Sequence, residues 1–250
     1  MSDRGISPVV VSRESGASGI VLVCEHASKA IPEAYGDLGL SAAARDSHIA
    51  WDPGALGVAQ RLSELLDAPL VAGGVSRLIY DCNRPPEAPG AMPVRSEAYD
   101  IPGNAALDAS AKAKRVAQVY APFKAALSEV LSLVQARAMI TIHSFTPVYL
   151  GQPRAVEIGV LHDADTRLAD VMMAAAQHHT DLTTRRNDPY GPQDGVTHTL
   201  QEHGVKRGLL NVMLEVRNDL IATQETQSAM ADTLAPWLAE AVAATLEPQA

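Results

Sequence analysis

The sequence predicts a single α/β domain of three layers, helices on both faces of a mixed, mostly parallel central sheet. Three observations predict it. Short runs rich in Val, Ile and Leu alternate with amphipathic stretches of helical period. The run LLNVMLEVRND at 209–219 is nearly continuous in apolar residues, as a strand buried on both faces would be. Polar residues cluster directly after such runs, where strands of open α/β sheets hold their ligands.

Taken in order, residues 1–18 read as a loosely ordered arm and residues 19–250 as the domain. Gly19 to Cys24, GIVLVC, is the first buried strand, and it leads into Glu25 and His26. Asp52-Pro53 reads as a helix start, with Asp52 as N-cap and Pro53 in the first turn. Ala55, Val58, Ala59, Leu62, Leu65 and Leu66 recur at helical spacing up to about residue 66. Ala68 to Val75 reads as a second strand continuing into SRLIYDCNRPP, where Pro85-Pro86 ends regular structure. Residues 87–103 are a Pro- and Gly-rich surface loop, and 104–136 a helical stretch kinked near Pro122. AMITIHSF at 138–145 is a third strand, delivering His143 and Ser144, and Val156 to Leu161 a fourth. Helices are expected at about 166–177 and 224–246. Between them lie a polar, turn-rich loop at 185–195 and the 209–219 strand, which ends in Glu215 and Arg217.

Composition narrows the function. A net charge of −9 and a pI near 5.3 argue against a nucleic-acid surface, which needs a basic face. No run of 18 apolar residues exists, so no membrane span is expected, and the first residues lack the regions of a signal peptide. Cys24 and Cys82 form no metal-knuckle spacing. A cytoplasmic, disulfide-free protein is the expectation.

Three strand ends therefore deliver His26, His143 and Glu215. Two imidazoles and a carboxylate are a usual set of ligands for a catalytic zinc, and a further carboxylate can act as general base on its water. No HExxH occurs, so the ligands must converge from separate strands. Arg77, Asn83 and Arg84 form a dense polar cluster, and arginine grips carboxylates bidentately. A small anionic substrate fits that cluster. The bland alternatives are a Glu215–Arg217 pair closing a sheet edge and Asp52 serving only as a cap.

The set CEHASKAIP, SRLIYDCNRPP, TIHS, RNDPYGPQDG and MLEVR resembles the N-formylglutamate amidohydrolase family, over about residues 20–220. The His, His, Asn-Arg and late Glu-x-Arg pattern is also similar to the zinc carboxypeptidase and aspartoacylase superfamily. The resemblance implies a phosphorylase/hydrolase-like fold, one Zn2+ per chain, and His26 and His143 as metal ligands. It implies Glu215 as catalytic base and Arg77, Asn83 and Arg84 as binders of substrate carboxylate and carbonyl. Arg84 or Arg77 would stabilise the oxyanion, and Arg217 or Arg186 would hold a second carboxylate. Ser144, Asn187 and Tyr190 would line the pocket. The superfamily's acid three residues after the first His is replaced here by Lys29. The third ligand must come from elsewhere, and the resemblance implies Asp52, since an Asp occurs near this place in the formylglutamate family, with His48 and Glu25 as alternatives. Glu25 also stands where the general N-formylglutamate enzymes carry Pro, which points to a divergent subgroup.

The activity implied is zinc-dependent hydrolysis of an N-acyl acidic amino acid, N-formyl-L-glutamate first. Alternatives are a metallopeptidase, a deacylase of another carboxylate-bearing N-acyl compound, and a non-catalytic carboxylate-binding module.

Overall fold

A computed structural model describes residues 6–247. Seven strands form one mixed sheet. In chain order they are β1 (Val9–Ser12), β2 (Ile20–Cys24), β3 (Leu70–Gly73), β4 (Ala138–Phe145), β5 (Ile158–Leu161), β6 (Thr184–Arg186) and β7 (Leu210–Arg217). Their spatial order is β1-β3-β2-β4-β7-β5-β6. β3, β2, β4 and β7 run parallel, while β1 is antiparallel to β3 and β5 antiparallel to β7.

The principal helices are α1 (Ala55–Leu65), α2 (Ala121–Leu133), α3 (Arg167–His179) and α4 (Gln224–Leu246). Strand alternation divides the core in two. Leu22, Ile140, Ile142, Val212 and Leu214 pack with residues of α1, α3 and α4, such as Leu62, Met172 and Leu238. Val21, Val23, Met139 and Met213 face the other way, toward Phe123, Leu127 and Leu131 of α2. By the same period of two, Glu25, His143 and Glu215 lie on the α2 face of the sheet.

The chain crosses from β2 to β3 on one side of β2 and returns to place β4 on the other. That reversal opens a crevice beyond the carboxyl ends of β2 and β4, the usual ligand position in such sheets.

Several elements differ from expectation. The N-terminal arm contributes an edge strand, with Val9 opposite Gly73 and Ser12 opposite Leu70; its first five residues lie outside the described residues. The second strand ends at Gly73, and Ser76 to Pro86 is a series of turns rather than continued strand. Ser76 Oγ fastens those turns by donating to the Ala50 carbonyl, and the Asp81 carboxylate accepts the Asn83 amide. The 104–136 stretch starts helical at 102–105, restarts behind the Asp108 cap, and passes through a widened turn at 116–120 before Pro122. The wider turn accommodates the residue that lacks an amide proton.

Candidate metal centre and active site

Asp52 does not cap a helix. α1 begins after Gly54, whose φ of 83° ends the run of Asp52-Pro53 and makes it the N-cap. A Cβ on Gly54 would meet the Ile221 carbonyl oxygen at 2.3 Å, so the chain can turn here only with glycine. The turn releases the Asp52 carboxylate toward the strand ends.

His26 follows β2, and His143 lies two residues before the end of β4. The His26 Nδ1 lies 3.2 Å from Asp52 Oδ2, the His143 Nδ1 lies 2.9 Å from the same oxygen, and the two Nδ1 atoms are 3.2 Å apart. All three residues are buried. One donor atom from each falls within 4.8 Å of the others.

The far side of each ring is also held. His26 Nε2 donates to Asp81 Oδ1 at 2.7 Å, and His143 Nε2 faces Glu25 Oε2 at 3.0 Å. With each Nε2 set against a carboxylate, the tautomer protonated at Nε2 leaves lone pairs on both Nδ1 atoms. In that tautomer three acceptor atoms converge, and a cation binding there would displace the extra proton that Glu25 and Asp52 favour on the His143 ring. A divalent cation suits that donor set, two imidazole nitrogens and one carboxylate oxygen with room for water.

Opposite charges crowd the three ligand candidates. Burial alone would lower the pKa of His143, but the Glu25 and Asp52 carboxylates outweigh it and hold the ring well above its usual value. Burial raises the Asp81 carboxyl, yet His26 and Arg77 more than offset this and keep it ionised. Arg77 reaches both acids, with Nη2 2.8 Å from Asp81 Oδ2 and Nη1 3.3 Å from Asp52 Oδ1. It is thus engaged in orienting the acids.

Glu215 is the direct register partner of His143 across β7 and β4. It is 5% exposed, and its Oε2 has no hydrogen-bond partner. Burial pushes its carboxyl up to about 7, with Asp52 adding to the rise against the pull of His143. Its other neighbour in register is Gly159. A Cβ there would meet the Asp188 carbonyl oxygen at 2.3 Å, so glycine lets the 187–195 loop pass close over β5.

These groups line a cavity of about 320 Å3. Of the remaining residues expected at the site, Arg77, Asn83, Arg84, Ser144 and Tyr190 border it. Asn83 is spent on structure: its amide donates to the Val196 carbonyl and accepts from the Thr199 amide proton. Arg84 gives one Nη to the Asp194 carbonyl at 2.7 Å. Ser144 Oγ donates to the Pro53 carbonyl, and its amide faces Asp52 at 3.3 Å.

Three expected residues are not brought to the cavity, and one of them, Arg186, pairs with Asp170 at 2.6 Å. Asn187 turns to the His162 amide, its Oδ1 accepting at 2.9 Å. Arg217 pairs with Asp219 and Glu157 and donates to the Arg154 carbonyl. The last two residues of β7 place Arg217 beyond the site, so it neither holds Glu215 nor reaches a ligand there. Of the alternatives to Asp52, His48 lines the cavity but faces Glu97 at 3.1 Å outside the three-residue cluster, and Glu25 lies behind His143.

Asp81 was missed as an orienting group, although it stands inside the polar cluster that drew attention to Arg77 and Asn83. Its signal was an acid buried between apolar neighbours, Tyr80 and Cys82.

The N-formylglutamate amidohydrolase family matches residues 18–222. No curated protein sequence matched. The crystal structure of gene product Atu2144 from Agrobacterium tumefaciens superposes with a TM-score of 0.93 at 54% identity, covering 96% of this chain and 97% of that one. N-formylglutamate amidohydrolase from Ralstonia eutropha JMP134 shares the fold at a TM-score of 0.63 and 18% identity, covering 96% and 98%. A match across the strands that carry His26, His143 and Glu215 places this chain in the N-formylglutamate amidohydrolase family.

Proposed function

We propose that the protein hydrolyses the amide of an N-acyl acidic amino acid, N-formyl-L-glutamate foremost, with a zinc ion held by His26, Asp52 and His143. The observation that carries this reading is the convergence of two imidazole Nδ1 atoms on one Asp52 oxygen, each ring backed by a carboxylate. A bound zinc supplies a Lewis acid and lowers the pKa of its water toward neutrality.

The chain's own residues do the rest. Asp81 and Glu25 hold the two rings in the tautomer that points Nδ1 into the site. Glu215 takes a proton from the attacking water at Oε2 and later delivers it to the leaving amine nitrogen. A carboxyl pushed up to about 7 by burial is suited to both tasks near neutral pH. Arg84, with an Nη and its Nε not engaged by an acid at close range, is positioned to hold the substrate's α-carboxylate or the developing oxyanion. The family favours an acylamino acid over a peptide.

The test is formate release from N-formyl-L-glutamate by protein whose zinc content has been measured. Stoichiometric zinc with turnover is expected, and activity lost on chelation and restored by zinc. Full activity in metal-free protein would exclude the metal role.

A further inference from the structure

We propose that Arg154 reads the distal carboxylate of the substrate and sets the preference for a dianionic acyl amino acid, an inference that rests on the amidohydrolase reading above. A dianionic substrate needs two cationic contacts. Arg84 is one. The others that lie nearby are committed: Arg77 to Asp52 and Asp81, Arg217 to Asp219 and Glu157, Arg186 to Asp170.

Arg154 has no acid partner within ion-pair distance among the described residues. It sits at the foot of a hairpin formed by Val148–Tyr149 and Gln152–Pro153, which folds beside the cavity. Its guanidinium lies 5.5 Å from the Phe145 ring centre, 4.6 Å from Tyr149 and 4.9 Å from Tyr190. All three rings border the cavity. Three aromatic faces stabilise a cation without neutralising it, as a carboxylate would.

The hydrogen bonds point the same way. Arg154 Nη2 donates to the Tyr190 oxygen at 3.0 Å, and Nη1 faces the Thr146 carbonyl at 3.4 Å. Because the phenol oxygen accepts from Arg154, its own proton is free for another acceptor. Tyr190 lines the cavity and Arg154 stands directly behind it, so the pair offers one carboxylate a phenol O–H with a guanidinium at its back. Arg217 fixes the hairpin foot by donating to the Arg154 carbonyl at 3.3 Å, and the Arg154 amide donates to the Pro147 carbonyl. The rigid foot and stacked rings pre-organise the contact, so little side-chain freedom is lost on binding.

The test compares N-formyl-L-glutamate with N-formyl-L-glutamine, which differ in charge at the distal group alone. Wild-type protein is expected to prefer the glutamate compound. Arg154→Met should lower kcat/KM for it by roughly 30- to 1,000-fold while moving the glutamine compound by less than about threefold. Arg154→Lys, which keeps the charge and loses the planar fork, should fall between. Equal losses on both substrates would overturn the proposal in favour of a packing role. So would a wild-type protein that does not discriminate, a result that needs no variant to fold. If wild-type protein hydrolyses neither compound, the amidohydrolase reading fails. Calorimetric titration with L-glutamate and L-glutamine then decides the Arg154 assignment separately. Preferential glutamate binding lost in Arg154→Met upholds it, and equal binding of the two amino acids overturns it.

Discussion

Glu215 and His143 are register partners on adjacent parallel strands, β7 and β4, so their side chains leave the sheet side by side on the same face. The pairing puts a buried carboxyl oxygen that lacks a hydrogen-bond partner, Glu215 Oε2, next to a metal-ligand candidate. Glu215→Gln keeps the shape and removes the base. We expect kcat to fall by roughly 100- to 10,000-fold with zinc content unchanged. Turnover within a few fold of wild type would remove Glu215 from the proton transfer.

Asp81→Asn and Glu25→Gln address the backs of the two rings. Each swap allows the amide oxygen to accept or its nitrogen to donate, so the Nε2 proton is no longer demanded. We expect zinc affinity to drop by roughly 10- to 100-fold for either variant, measured by competition with a chromophoric chelator. An unchanged affinity in both would mean that the rings keep their tautomer without the carboxylates.

His203 gives the fold a dependence on pH that is separate from the site. It is 4% exposed, and its Nδ1 has no partner. Burial, helped by Arg207, lowers its pKa from 6.5 to about 4. The unfolded chain therefore takes up the proton first as pH falls. This stabilisation is complete above about pH 6.5 and is lost progressively down to about pH 4, on the order of 3 kcal/mol in all. His203→Leu should flatten the decline in unfolding free energy across that window, as read by urea titrations at several pH values. An unaltered slope would assign the acid sensitivity to other groups.

The layered fold was legible because apolar runs mark buried strands in any order of pairing. Ala138 to Phe145 and Gln224 to Leu246 were placed to the residue, since β-branched density and helical period leave little choice there. β1 and β6 were not foreseen. An edge strand such as VVVS, half exposed, needs only a partner's free edge, which is a property of β3 and not of its own sequence. The histidines and Glu215 were legible because a polar group closing an apolar strand has few structural uses. Asn187 and Arg217 were misread for the opposite reason. Both stand in segments that feed the site, but a loop or strand end can turn a side chain either way. Asp81 and Arg154 could be assigned only once the chain brought them against His26 and Tyr190.

The Asp52 reading turned on one residue. Asp-Pro at the head of a helical pattern usually means a cap, and the glycine after it moved the helix start two residues on. Gly54 has a φ of 83°, and any Cβ there strikes the Ile221 carbonyl. Gly54→Ala must therefore accept left-handed backbone strain and displace either the 218–221 turn or the start of α1. We expect a loss of roughly 2 kcal/mol or more, which corresponds to a fall in Tm of about 4–8 °C for a chain of this size. Because Asp52 is held by the same turn, its carboxylate should shift as well. Zinc affinity in Gly54→Ala should then fall beyond what the stability loss causes, measured well below Tm where the variant is folded. A variant that loses stability but binds zinc as tightly as wild type would show that Asp52 is placed by His26 and Arg77 rather than by the turn at Gly54.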